Sequence, residues 1–294
     1  MKRKRAGPAG GRAAAFDDDA FQRGMGTEQQ RAEQGERMAR DKLARDPRDA
    51  GALHLLGATL LAQGRARDAI APLEQAARAS QDAVVETRLA LALRATGRTA
   101  EAIDCLQRAT AREPPFAHAF HELGIMLCMA RRYDEAEVVL KRGVALAPDL
   151  AELSVELGGI YISRADPANA KLAFARALTL SPGHPRALHG FGTAFLFEGA
   201  FERAAERFRQ VLAQNPEHVR ARLDLAHCLL ELGRGDDAVA ALRATVQRDP
   251  ALYGKALKML VSSGRGRFWL RPSAAAKVLQ AGAPAVAMNE PVAS

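Results

Sequence analysis

Prolines at positions 114, 148, 182, 216 and 250 recur every 34 residues. A strict period of that length means one supersecondary unit copied along the chain, each copy burying its apolar face only against its neighbours. The 294 residues therefore need not divide into the two compact domains that length alone would suggest. Other columns keep the same register. A large apolar residue stands at Leu56, Leu89, Leu123, Leu157, Phe191 and Leu225, followed at once by a small one at Gly57, Ala90, Gly124, Gly158, Gly192 and Ala226. Alanine returns at Ala69, Ala102, Ala136, Ala170, Ala204 and Ala238, and a second large column at Leu73, Leu106, Leu140, Phe174, Phe208 and Leu242. Two helices approach closely only where side chains are small, so the Gly and Ala columns mark a crossing and the large columns fill the space beside it. Proline then ends the second helix, since it lacks an N–H and disfavours helical geometry in the residue before it.

The stretch from Ala151 to His184 holds Leu157-Gly158, Tyr161, Ala170, Phe174 and Pro182 at the spacing L-G-x2-Y…A-x3-F…P. On these residues the chain resembles the tetratricopeptide repeat family from about Ala50 to Leu252. The resemblance implies an all-α fold, a right-handed α-α superhelix of six helix-turn-helix repeats at 50–82, 83–116, 117–150, 151–184, 185–218 and 219–252. It departs from the family in the tryptophan column, which reads Leu53, Glu86, Phe120, Ser154, Leu188 and Arg222. The first repeat is one residue short, with Gln81 where its proline is expected, and the deletion is placed in the turn after Ala76. Residues 27–46 read as an N-terminal capping helix that starts at Thr27 and Glu28 and stops at Asp46-Pro47, and residues 253–281 as C-terminal capping helices, with Ser273 capping a last helix from Ala274 to Gln280. Residues 1–26 and 282–294 have the composition of disordered tails.

Hydrophobic residues make up 48% of the chain but aromatics only 5%, which suits helix on helix packing without a bulky core. Cys105, Cys128 and Cys228 show no close pairing, so neither a disulfide framework nor a zinc site is expected, and no metal or cofactor. No window approaches 18 uninterrupted apolar residues, and the basic start lacks the apolar core of a signal peptide; a soluble cytoplasmic protein with no membrane span is expected. The Ala- and Arg-rich composition points to a bacterial source. The net charge of +8 lies at the ends, +3 in residues 1–26 and +5 in residues 251–294, leaving residues 27–250 neutral. A basic stripe to neutralise phosphates is missing from the repeats, so nucleic acid is a disfavoured partner.

In this family the first helix of each repeat lines the concave face, so the resemblance places a protein or peptide partner there. Registers 5, 9 and 12 of the first helices, with neighbours, give the candidate groove: His54, Thr87, Leu91, His118, His121, Ile125, Cys128, Val155, Ile162, His189, Thr193, Leu196, Leu223 and His227, with Arg186, Arg220 and Glu152, at register 2, on a charged rim. It reads as apolar, histidine-bearing and poor in fixed charge, suited to an amphipathic helix or apolar peptide. The Lys and Asn clamp by which some members hold a chaperone's C-terminal carboxylate is not visible. An asparagine ladder is excluded by a chain with only Asn169, Asn215 and Asn289. His118, His121 and Cys128 share roughly one helix face, yet HAFHELG is not HExxH, because Ile125 stands where the second histidine is needed. Charging of the histidines below about pH 6.5 is expected to weaken partner binding.

No GxSxG, Walker A loop or separated acid pair is present, and GFGTAF at Gly190–Phe195 lacks the third glycine and lies inside a first helix rather than after a strand. The expected function is a non-enzymatic adaptor. Two alternatives stand beside it: an accessory subunit that positions substrate for a separate transferase, and an RNA-associated scaffold that uses the basic ends. Arg265, Arg267, Phe268, Trp269, Leu270 and Arg271 fall outside the repeat pattern, as a structural cap over the last repeat or as a docking motif.

Overall fold

The computed structural model describes residues 28–261 and 270–280. The expected tails, Thr27, Arg265, Arg267, Phe268 and Trp269 lie outside them. Among the described residues there are helices and no strands. The chain divides into two compact units, one up to Pro114 and one from Pro115.

The first unit holds α1 (Glu28–Arg45), α2 (Ala50–Ala62), α3 (Ala66–Ser80), α4 (Ala83–Ala95) and α5 (Thr99–Thr110). Each helix packs on the next, and α2 also touches α4. Asp49 and Asp82 cap α2 and α4, their carboxylates accepting from the Ala52 and Val84 backbone N–H groups at 3.0 and 2.8 Å. The second unit holds α6 (Ala117–Met129), α7 (Tyr133–Leu146), α8 (Ala151–Ser163), α9 (Pro167–Leu180), α10 (Pro185–Phe197), α11 (Phe201–Gln214), α12 (Val219–Glu231), α13 (Gly235–Arg248), α14 (Tyr253–Val261) and α15 (Pro272–Gln280). Here α6, α8, α10, α12 and α14 form one row, each touching the next in it. The last helix begins at Pro272, so Ser273 lies inside it and is not its cap; proline is at home in a first turn, where its missing N–H leaves nothing unpaired.

The glycine column works by contact. A methyl group at Gly57 would come within 2.3 Å of Leu73, at Gly124 within 2.4 Å of Leu140, and at Gly158 within 2.6 Å of the Phe174 ring. No real Cβ tolerates such distances, so hydrogen at these positions is what lets the two helices of a pair meet. The alanine column and the second large column opposite are buried throughout.

The short first repeat loses its residue in the turn that follows Ala76: the second helix runs to Ser80, and the link to α4 is the two residues Gln81–Asp82, against four between α7 and α8. Gln81 closes it in the left-handed region at φ 50°. Pro72 sits inside α3, where it removes one backbone hydrogen bond, yet the helix continues past it.

The degenerate tryptophan column is interior in every repeat, including Glu86 at 2% exposure and Arg222 at 9%. Glu86 accepts from Arg112 Nη2 at 2.8 Å, with Arg108 Nε at 3.5 Å, while Arg222 Nη2 donates to the Pro216 carbonyl. Taking a carboxylate out of water costs more than its ion pair returns unless every lone pair is satisfied, and Glu86 Oε2 has no partner. Glu86→Leu is therefore expected to leave thermal stability unchanged or higher, and Arg112→Ala, which strips the carboxylate of its 2.8 Å partner, to lower it. Melting curves of the two variants check this, and the reverse order would refute it.

Candidate functional site

Three of the expected groove histidines do the same thing. His54, His121 and His189 each stand at register 5, and each ring reaches across to register 6 of the following repeat, 34 or 35 residues on. The partners are Arg88, Glu156 and Asp224. The interaction recurs only in alternate repeats, so it has twice the period of the fold. At register 5 of the intervening repeats Thr87 and Leu223 are core, which corrects the expectation of a lining set there, and Val155, equally buried, shows only an edge to the cleft described below. Thr87, Val155 and Leu223 are 4%, 2% and 3% exposed; Thr87 turns its hydroxyl to the Ala83 carbonyl, and Leu223 belongs to the core of α12–α15.

In the first unit the ring of His54 lies against the Arg88 guanidinium and is half-buried. Burial first, and then the Arg88 charge, lower its proton affinity below that of an ordinary histidine, with Asp82 opposing. The folded chain thus takes up this proton less readily than the unfolded one. The stabilisation is complete above the unfolded pKa, about 6.5, and is lost as the pH falls below it. Thermal stability of the first unit is expected to decline between pH 7 and pH 5, and His54→Gln to flatten that slope; an unchanged slope in the variant would overturn the assignment. Leu91, farther along α4, is half-buried.

In the second unit the acids make the site. Glu156, buried under α10, accepts both arms of the Arg186 guanidinium at 2.6 and 3.1 Å, and His121 Nε2 lies 3.6 Å from the same carboxylate. Burial pushes the Glu156 carboxyl up, but His121 and Arg186 outweigh it and hold it below the usual carboxylate range. One double repeat later, His189 Nε2 lies 3.0 Å from Asp224 Oδ2, and Arg220 Nε approaches the same oxygen at 3.9 Å. The His189 ring stacks on His218 at 5.3 Å and tilts against Phe208 at 5.4 Å. His218 in turn caps α12, Nδ1 accepting from the Ala221 N–H at 3.1 Å.

These side chains border a cleft of about 390 Å³ between α8, α10 and the start of α12. Six expected groove residues meet there: Val155, Ile162, Arg186, His189, Thr193 and Arg220, joined by Gly159, Phe174, Gly190 and His218. The remaining candidates do not line it. His118 is exposed and stacks on Phe116 at 5.2 Å, which parts it from His121, and Cys128 is half-buried with its thiol pushed up to about 11 by burial and Glu156. No group of three His, Cys, Asp or Glu side chains among the described residues is placed to share a metal ion. Ile125 and Leu196 are half-buried on α6 and α10, and His227 is engaged with Phe201 and Glu231. Leu270 packs on the C-terminal core and donates its N–H to the Leu260 carbonyl at 2.9 Å, while Arg271 is exposed. The groove was expected to be poor in charge; Arg88, Glu156 and Asp224 were missed, and their signal is that each stands at register 6 of the repeat after a register-5 histidine.

The architecture defines a class: helix-hairpin repeat proteins in which, within each unit, each first helix touches the first helix of the next repeat. Profiles described as tetratricopeptide repeat match residues 12–118, 87–151 and 195–261. The chain is a tetratricopeptide repeat protein. Among solved structures it is similar to PilF of Pseudomonas aeruginosa, at 21% identity and a TM-score of 0.62 over 76% of this chain and 96% of that one. It is also similar to PilW, described as a type IV pilus biogenesis factor, at 16% identity and 0.62 over 69% and 94%. YrrB, described as a repeat protein with an unusual peptide-binding site, follows at 20% and 0.52 over 62% and 95%. At these identities the likeness is one of fold. No curated protein matches the sequence. No helix among the described residues is long and apolar enough to cross a membrane.

Proposed function

We propose that this protein is a non-enzymatic scaffold that binds another protein through the cleft between α8, α10 and α12. The observation that carries the reading is the convergence of six side chains from three repeats on one opening whose lining offers apolar surface, two histidines and two arginines. The two histidines on its wall are engaged within the protein, His189 with Asp224 and His218 with the Ala221 N–H, an arrangement that fixes a shape for recognition rather than leaving a base or nucleophile free to react. In this reading α1 caps the start of the array and α14 with α15 its end.

The test is affinity capture of the full chain from its own cells beside an Ile162→Glu/Thr193→Glu variant, with Met129→Glu, an exposed residue outside the cleft, as control. Partners are expected to vanish with the first and persist with the second. Partners retained by the cleft variant, with its helical content intact, would place function elsewhere.

A further inference from the structure

Gly159 is a glycine without an internal reason. It lies inside α8, where glycine weakens a helix, and a methyl group added there would meet nothing within 4 Å. Its neighbour Gly158 shows the contrast, since a methyl there collides with Phe174. The same register carries a side chain in every other repeat: Ala58, Leu91, Ile125, Thr193 and His227. At Gly159 alone the row of side chains is interrupted, and the gap opens into the cleft with Ile162 and Phe174 beside it.

The ionised groups on the cleft wall are of one sign. Arg186 and Arg220 line it, with side chains 63% and 75% exposed, whereas Glu156 and Asp224, at 9% and 28%, lie beneath them and are not part of the lining. Arg220 is held only loosely, at 3.9 Å. An occupant thus meets a side-chain-sized apolar gap flanked by two guanidinium groups, a pairing that suits an aliphatic residue next to a carboxylate.

We propose that the gap at Gly159 is a specificity seat: it receives an aliphatic side chain from an internal segment of the partner, while an adjacent Asp or Glu side chain pairs with Arg186 and Arg220. This rests on the cleft being the scaffold's binding site and adds which residues the partner must present.

The test uses the full chain and fluorescein-labelled decapeptides, acetylated and amidated at their ends, with a central Leu-Asp, Leu-Lys or Ala-Asp pair in a Ser/Gly background. The Leu-Asp peptide is expected to bind about tenfold or more tighter than the other two by anisotropy, the scale of one seated aliphatic side chain. Gly159→Met, which fills the seat from within, should weaken that binding by about tenfold. Gly159→Ala should weaken it less while raising Tm by about 1–4 °C, because alanine favours an exposed helix interior. Affinity lost together with a rise in Tm cannot come from damage to the fold. Unchanged affinity in Gly159→Met, equal binding of the Leu-Lys peptide, or binding that requires a free terminal carboxylate would each overturn the seat. If none of these peptides binds while partner capture still depends on the cleft, this occupant is wrong and the scaffold reading stands; capture independent of the cleft removes the scaffold reading itself.

Discussion

Gly158→Ala is expected to destabilise the second unit by about 1–3 kcal/mol, although alanine is the better helix former by about 1 kcal/mol. The methyl would stand 2.6 Å from two atoms of the Phe174 ring, and that ring has little room to retreat, because the backbone of Gly190 on the next first helix lies so near its other side that a methyl there too would come within 2.2 Å of it. The overlap therefore has to be relieved by moving α8 away from α9, which opens the crossing that buries Val155 and Ala170. Shrinking the obstacle should help: Phe174→Leu combined with Gly158→Ala is expected to be less destabilised than the two single changes added together. Thermal or urea melts of the single and double variants measure this, and an additive double variant would show that the ring is not what the methyl meets. The expected gain in Tm from Gly159→Ala, one residue away, makes the pair a sensitive reading of which helix face is packed.

The second large effect lies at Phe208. It is wholly buried on α11, a methyl at Gly192 would come within 2.7 Å of it, and its ring supports His189 at 5.4 Å. Phe208→Ala is expected to cost about 3–5 kcal/mol, the usual range for removing a buried aromatic, and to lower Tm by about 10 °C. In a repeat array such loss is local, so hydrogen exchange should quicken first in α10, α11 and α12. The change also removes a support of His189, so peptide binding in the cleft should weaken even at temperatures where the variant stays folded. Phe208→Leu, which keeps most of the volume, should lose much less of both. A Phe208→Ala protein that melts like the parent would mean that α11 is not held by this contact.

How much of this was legible in the residues alone depends on what each column must do. Gly57 against Leu73 and Gly158 against Phe174 are constraints between positions a fixed distance apart, so the period exposes them. Register 5 was harder. His54 and Thr87 share that register, yet one sits half-buried against a neighbour's charge and the other is core, and no single column tells them apart. The distinction belongs to pairs of repeats, and it shows only when the partner at register 6 is read beside the histidine. The shortened connection after α3 was legible from the columns, 33 residues apart there instead of 34, but its form was not: without a proline to stop it the helix runs to Ser80, and Gln81 turns in the left-handed region. His218 escaped notice because it is an unusual residue for starting a helix, where Asp, Asn, Ser or Thr are the common choices.

Glu86 has one more implication, for assembly. Copies of one hairpin invite the pairing of a first helix with the wrong second helix, since every repeat offers much the same Leu, Ala and Gly surface. A carboxylate in an otherwise buried column breaks that equivalence. It finds a guanidinium at 2.8 Å because Arg112 follows α5 of the same hairpin, whereas at the matching place the second helices of the third, fourth and fifth repeats end on Leu146, Leu180 and Gln214, and only that of the sixth ends on an arginine, Arg248. Were α4 to pair with the second helix of the third, fourth or fifth repeat in place of α5, Glu86 would be buried against a residue unable to neutralise it, a penalty of several kcal/mol. The stability given up for this one charged pair thus acts as an address, telling a first helix which of several near-identical second helices is its own.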